Sequence, residues 1–238
     1  GVVTGANEHF IVTGIEATDS PAEVMITTED GERVRIEKSL LRPLIRGRDL
    51  HAWGYSVRDA IIWTHQDATG KVLSSLPKRA EQYFLKYSRE LEARDDFKKG
   101  MPIWTLFRVS EEKLGLKVAW KKYGTEMQSC IVEKEHALKM TGKRVLVPLQ
   151  TAYFIPIEER DKGLLMTGVF NSIPFKTLMM SFAVRARGAY FHYTSWIVGL
   201  GVLPVTQATI KESWRNHNGK SAAPEAIQRS TELSKQQH

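Results

Sequence analysis

Short runs of β-branched and aromatic residues open the chain, Phe10 to Thr13 and Glu23 to Thr28, separated by polar turn signals at Gly14, Ser20-Pro21 and Asp30-Gly31. Such runs, bounded by turn formers, predict strands. Asp30-Gly31 lies between Val24-Met25-Ile26 and Val34-Arg35-Ile36. It predicts a two-residue hairpin, because Asp-Gly accepts the positive φ that such turns need. At Pro77 the spacing changes: Ala80, Phe84, Tyr87 and Leu91 recur at helical intervals. One helix is therefore expected from Pro77 to Asp95, with proline in its first turn. Its other face carries Lys78, Arg79, Lys86, Arg89 and Arg94 among several acids, and reads as a solvated face laced with ion pairs in preference to one turned to DNA.

Short strands are expected next at Ile103 to Arg108, Lys117 to Trp120, Ser129 to Val132, Arg144 to Val147 and Ala152 to Ile157. Gly163 to Asn171 and Pro174 to Arg185 predict two consecutive helices, the second capped by Ser172 and striped by Phe175, Leu178, Met179 and Phe182. Trp63, Trp104, Trp120 and Trp196 fall inside strand-like runs, so burial is expected for them. Met166, Met179 and Met180 read as core filler. A last helix is predicted from Gln207 to His217, and from Asn218 the composition turns polar, which predicts a mobile tail or a weak terminal helix. No internal repeat is present.

One segment carries charge in a stiffened setting. Leu40 to Trp53 sets Arg42, Arg46 and Arg48 around Pro43 and Gly47, directly after a strand-like run ending at Ile36. Proline fixes its own φ and biases Arg42 away from helix, while glycine admits a φ that other residues avoid. The segment reads as a loop whose three guanidiniums form a fork for phosphates or base edges. The plainer alternative is a solvated turn whose arginines pair with Asp49 and Glu37.

Composition narrows the function classes. The 238 residues suffice for a sizeable core, and 42% hydrophobic with 26% charged residues is the balance of a soluble globular protein. No run of about 18 apolar residues occurs, so no membrane span is expected. The single cysteine, Cys130, excludes an internal disulfide framework and leaves too few thiolates for a zinc site, which suits a reducing cytoplasm. Lys+Arg 34 against Asp+Glu 27 gives a formal charge of +7, agreeable to a polyanionic partner. Without an initiator methionine or a signal-peptide pattern, the chain reads as a fragment of something longer.

Catalytic patterns are sparse. Asp96-Phe97-Lys98 and Glu111-Glu112-Lys113 have the acid-x-Lys form of metal-dependent nucleases, but no third carboxylate on a preceding strand completes a metal site. His65 with Asp67 reads as structural or solvent-facing in preference to a catalytic dyad. Gly199-Leu200-Gly201 reads as a packing or bulge feature and not as a phosphate cradle.

Several words of the sequence, in order, resemble the TaqI-like C-terminal specificity domain, the target recognition domain of N6-adenine DNA methyltransferases and fused restriction-modification enzymes. Gly1-Val2-Val3-Thr4-Gly5-Ala6-Asn7-Glu8-His9-Phe10 is similar to its opening "G-x-x-T-G-x-N-x-x-F", and Leu41 to Leu50 to its "L-x-P-[LY]-[LI]-x-G-[RK]-D-[IL]". Ile61-Ile62-Trp63-Thr64-His65, Leu76-Pro77 and Pro102-Ile103-Trp104-Thr105-Leu106-Phe107-Arg108 resemble its short strand, helix start and "P-x-W-x-L-x-R" strand. Val147-Pro148, Tyr153-Phe154-Ile155-Pro156, Phe170-Asn171-Ser172, Arg187-Gly188-Ala189-Tyr190-Phe191 and Leu203-Pro204 follow its later half. One departure is His192, where the family often has a basic residue after the aromatic.

The resemblance, taken with the strand-rich pattern, leads to an expected α+β fold: a curved, mostly antiparallel sheet or partial barrel with several flanking helices. Residues 1–205 would form the recognition domain, and 206–238 a C-terminal helix and polar tail. It implies double-stranded DNA as partner, with catalysis and S-adenosylmethionine binding in an N-terminal methyltransferase domain of the same polypeptide. The glycine-rich cofactor loop and "[DNS]-P-P-[YFW]" motif of such enzymes are missing here, so no catalytic residue, cofactor or metal is assigned to this stretch. Three groups of DNA-contacting residues are expected: Arg42, Arg46 and Arg48, with His51 and Trp53 as further candidates; Lys98, Lys99, Lys121, Lys122 and Tyr123; and Arg185, Arg187, Tyr190 and Tyr193, where a helix is expected to end at Gly188. For the arginines, contact and solvated surface are evenly matched. The alternatives are a self-contained metal-dependent nuclease and a protein-interaction domain.

Overall fold

Most of the β-type runs form strands, and the computed structural model describes residues 1–186 and 188–200. The first part of the chain contributes α1 (Asn7–Phe10), β1 (Ile11–Ala17), β2 (Glu23–Thr28), β3 (Arg33–Glu37), β4 (Leu41–Ile45), the small hairpin β5 (Leu50–His51) and β6 (Gly54–Tyr55), β7 (Asp59–Ile62), α2 (Lys78–Lys86) and α3 (Ser88–Glu92). The later part contributes β8 (Lys117–Lys121), β9 (Tyr123–Gly124), β10 (Ser129–Val132), β11 (Glu135–Leu138), β12 (Gly142–Val145), β13 (Val147–Pro148), β14 (Ala152–Pro156), α4 (Arg160–Asn171), α5 (Ile173–Phe182), the pair β15 (Val184–Arg185) and β16 (Phe191–His192), and α6 (Ser195–Leu200). The helix expected from Gln207 to His217, the polar tail and Arg187 lie outside the described residues. Among the described residues no helix is long and apolar enough to cross a membrane.

The architecture is α+β with mostly antiparallel sheets. A six-stranded sheet has the order β13-β4-β7-β1-β2-β3, and β10-β8-β14 and β15-β16-β9 are smaller sheets. Strand β13 joins β4 in parallel, Val147 opposite Leu44, while the other strands of that sheet run antiparallel. Along β2 alternate residues are buried, as expected for a strand with one face on a core. One core lies between the six-stranded sheet and α2–α3, with Phe10, Ile26, Leu41, Trp63 and Phe84 at its centre. A second packs Trp120 of β8 against Met166 and Phe170 of α4 and Phe175 and Met179 of α5. Between them Ile45, Leu50, Ala119, Cys130, Val132 and Ala152 bind the two halves together. Trp63, Trp104 and Trp120 are buried as expected, as are Met166 and Met179, whereas Met180 is exposed.

Five expectations about the elements need correction. The turn at Asp30-Gly31 is a three-residue loop, 29–31, and not a two-residue one, since Thr27 pairs with Arg33 and the Thr28 N–H donates to the Glu32 carbonyl at 2.9 Å. Leu41–Ile45 is no loop but an interior strand. Pro43 is tolerated because β13 reaches only Leu44 and Ile45, so no ladder on that side is broken. The expected helix from Pro77 to Asp95 splits at Tyr87 (φ −105°, ψ 16°), whose hydroxyl donates to the Glu32 carboxylate and whose ring stacks on His9 at 4.1 Å. The second of the paired helices stops at Phe182, because Val184 and Arg185 pair with His192 and Phe191 across a turn holding Gly188 at φ +69°. Ile103 to Arg108 forms no strand and contributes only an isolated β-bridge, Phe107 to Val3.

Arg94 explains that last segment. Its guanidinium is buried and donates to four carbonyls: Leu91 at 2.8 Å, Thr4 at 2.7 Å, Thr105 at 2.9 Å and Ile103 at 2.6 Å. It lies over the Phe10 and Phe107 rings at 5.4 and 4.8 Å. The carbonyls that a neighbouring strand would have taken are thus satisfied by one side chain. Burial pulls the guanidinium pKa down to about 10, which leaves it charged at neutral pH. Arg94→Ala removes every one of these donors at once and is expected to cost about 3 kcal/mol or more in urea unfolding. Arg94→Lys restores less than half of this, since an ammonium cannot reach carbonyls spread around a planar fork.

Candidate nucleic-acid interface

Strand β4 ends in a tight 3-10 turn, Gly47–Asp49, that turns the chain toward β14. The Asp49 carboxylate closes it by accepting the Arg46 backbone N–H at 2.8 Å. Burial raises the Asp49 pKa, against the opposing pull of that hydrogen bond. Gly47 donates its N–H to Thr151 Oγ1 at 3.0 Å, and a Cβ on it would lie 2.3 Å from the Thr151 carbonyl oxygen. Only glycine lets these two segments approach so closely.

The expected fork of three arginines does not form. Arg42 Nη2 meets Asp67 Oδ2 at 2.9 Å and its Nη1 donates to the Ser39 and Leu41 carbonyls at 2.6 and 2.9 Å. Arg46 points inward, its side chain only 9% exposed, in ion-pair contact with Asp59 at 2.9 Å and Glu29 at 2.6 Å. Arg48 points outward: Nη2 donates to Asp59 Oδ2 at 2.7 Å while its side chain stays 58% exposed. The pairing expected with Asp49 and Glu37 is also replaced. Asp49 stands 3.9 Å from Arg48, and Glu37 instead accepts the Arg79 and Ala80 backbone N–H groups at the start of α2. His51 and Trp53 are exposed on the β5–β6 hairpin, Trp53 with φ 71°.

Beside this turn lies a groove of about 400 Å³. Arg48 lines it with Lys121 at the end of β8, Tyr123 of β9 and Tyr190 of the β15–β16 turn. One member of the first expected contact group, two of the second and one of the third therefore meet in a single place. Gly47 and Gly124 line the groove too, and a Cβ on Gly124 would lie 2.9 Å from the Glu126 carbonyl. Tyr123 stacks on His192 with centroids 4.6 Å apart and planes at 29°, and His192 stacks on Tyr153 at 6.1 Å and 25°. Lys122 Nζ sits 5.3 Å from the Tyr123 centroid, and exposed Arg185 lies 5.9 Å from the Phe191 centroid. Burial, aided by the Lys122 charge, lowers the His192 pKa and favours its neutral ring. Glu126, also at the groove, is held below the usual carboxylate range by Lys176 at 2.9 Å and Gln128 at 3.0 Å.

Other candidates lie elsewhere. Tyr193 is wholly buried in the second core, its carbonyl accepting Trp120 Nε1 at 2.9 Å, so its ring faces no solvent. Lys98 and Lys99 are exposed beyond α3 and do not line the groove, and Arg187 lies outside the described residues. His192 and Tyr153 were missed as site residues. The polar turn Tyr123 to Gln128 was the available signal that this edge is a surface feature.

Asp96 and Glu111 are exposed, and among the described residues no group of three or more His, Cys, Asp or Glu is placed to hold a metal ion. His65 is buried, its pKa pulled down to about 4, while Asp67 takes Arg42, so the two make no dyad. No protein-family model and no curated protein matches the chain.

Lys117 begins β8, the strand that delivers Lys121 to the groove. Its ammonium is fully buried without a hydrogen-bond partner, and burial pulls its pKa from 10.5 down to about 7. Between those values the unfolded chain holds a proton that the folded chain has lost, so stability rises with pH across that window and is lost as pH falls. Lys117→Met is expected to raise stability at pH 7 by about 1–3 kcal/mol and to flatten this slope. Urea unfolding at several pH values checks both.

Proposed function

We propose that the chain is a DNA-binding target recognition module, the C-terminal part of a site-specific adenine-N6 DNA methyltransferase of a restriction-modification or related defence system. On this reading it works in the cytoplasm beside an N-terminal domain that supplies S-adenosylmethionine binding and catalysis. The observation that carries it is the convergence of Arg48, Lys121, Tyr123 and Tyr190, drawn from three separate stretches of sequence, on one open groove. A guanidinium can address a base edge there, lysines offset phosphate charge, and aromatic rings offer faces to bases. The net charge of +7 and the resemblance of the opening and central words support the same reading. The sheets would then curve as a partial barrel flanked by helices, a bend for which the irregular register of β1 between Val12 and Gly14 is suited.

The test is fluorescence anisotropy with duplex DNA over a salt series. Arg48→Ala and Lys121→Ala are each expected to weaken binding and to lower the slope of log K against log salt by about 1, as befits one phosphate contact. Lys78→Ala, on the solvated face of α2, leaves both unchanged. Failure of the chain to bind any duplex at low salt, or wild-type binding by the double variant, overturns the reading. Its parent-enzyme part predicts an "[DNS]-P-P-[YFW]" motif encoded upstream of Gly1.

A further inference from the structure

Resting on the DNA-binding reading of this groove, we propose that it holds a single nucleotide taken out of the base stack, the phosphate between Arg48 and Lys121 and the base against the rings of Tyr123 and Tyr190. The first argument is size. A groove of about 400 Å³ is the size of a site for one small ligand, whereas a stacked duplex presents a surface far wider than it. Its lining includes backbone at Gly47 and Gly124, where the Thr151 and Glu126 carbonyls come too close for a side chain.

The second argument is the order of the aromatic rings. Tyr153, His192 and Tyr123 form a near-parallel series, and Tyr123 is its more open end at 47% exposure, already lining the groove. A base entering the groove meets Tyr123 and so adjoins a stack that the fold has already built. Tyr190, 52% exposed, lines the same space and is held by its hairpin, where its carbonyl accepts the Ala186 N–H at 2.8 Å. Stacking is tolerant of base identity because every base has a π-face, while a paired base inside a duplex exposes only its edge.

The third argument is charge. Arg48 spends one N–H on Asp59 while its side chain stays 58% exposed, and Lys121, at the end of β8, lines the same groove. The acid at the groove, Glu126, is already paired with Lys176, which offsets its repulsion of a phosphate. Extruding a base costs unstacking and unpairing energy that an unpaired nucleotide does not incur. Selectivity for unpaired positions follows.

The experiment compares the 238-residue chain bound to a matched duplex, to the same duplex carrying one unpaired thymidine, and to a single-stranded oligothymidine of similar length. The expected result is tighter binding of the bulged than of the matched duplex by about 10-fold or more. Tyr123→Leu and Tyr190→Leu should each weaken binding to bulged and single-stranded DNA by about 5- to 150-fold, collapsing the bulged-to-matched ratio, and Tyr123→Phe and Tyr190→Phe should restore it. Thermal unfolding of each variant separates this loss from loss of fold, and the phenylalanine variants carry the comparison if a leucine variant does not fold. Equal affinity for bulged and matched duplexes, or a ratio that the leucine variants leave intact, overturns the extruded-nucleotide site while leaving the DNA-binding reading in place. Binding to none of the three DNAs overturns both.

Discussion

The buried carboxylate of Asp59 sets the geometry on which the groove depends. It stands at the start of β7, opposite Leu44 of β4, and is reached by Arg46 at 2.9 Å and by Arg48 at 2.7 Å. Two guanidiniums two residues apart leave the 3-10 turn on different courses, one into the protein and one to its surface. A buried ion pair gains little net stability, since desolvation offsets most of the attraction, but a buried guanidinium left without a carboxylate is costly. Arg46 therefore has to find Asp59 and Glu29, and in doing so it fixes the turn. Gly47 is then pressed against Thr151, Asp49 closes the turn, and Arg48 is left over the groove.

Arg94 plays the comparable part for the opening stretch of the chain. The opening stretch, irregular up to the single helical turn α1, and the irregular stretch Ile103 to Phe107 are both held by its guanidinium and by its contact with Phe10 and Phe107. These are two of the stretches on which the resemblance to a recognition domain rests. Their role within this fold is structural, since their carbonyls and rings are consumed in enclosing one cation. The DNA-facing proposal draws instead on residues of the later half and on Arg48 alone of the arginine segment.

What the sequence made legible follows from the range of the interactions involved. The strands of the β2–β3 hairpin, though not the length of its loop, together with β8, β10, β14 and the paired helices α4 and α5, are written in local periodicity and turn chemistry, and they were readable. The break at Tyr87 depends on Glu32 and His9, the irregular stretch 103–108 on Arg94, and the end of α5 on pairing with β16; each partner is distant in sequence or belongs to another element. Residue types at the site were legible in the same limited sense. That Arg42, Arg46 and Arg48 crowd one stiffened segment was readable, but which one faces solvent depends on Asp67, Glu29 and Asp59, and no local pattern marks those carboxylates as their partners.

Counting basic residues is for the same reason a poor guide to the field that a polyanion meets. Arg42 and Arg46 have their charge offset by carboxylates within 3 Å, and Arg94 and Lys117 are buried. Arg48 also gives one N–H to Asp59 but keeps its side chain 58% exposed, and with Lys121 at the groove, Lys122 beside Tyr123 and Arg185 on β15 it makes up the more open charge of these short strands and turns. Elements of that kind can be rebuilt with little effect on the sheets beneath, so a recognition surface can vary while the scaffold persists. On the proposed reading, four cations engage few phosphates, well below the six to ten or so that make binding steeply salt-dependent. Tight, site-selective binding would then require a second surface on the other side of the DNA, which is the part the proposed N-terminal domain would play.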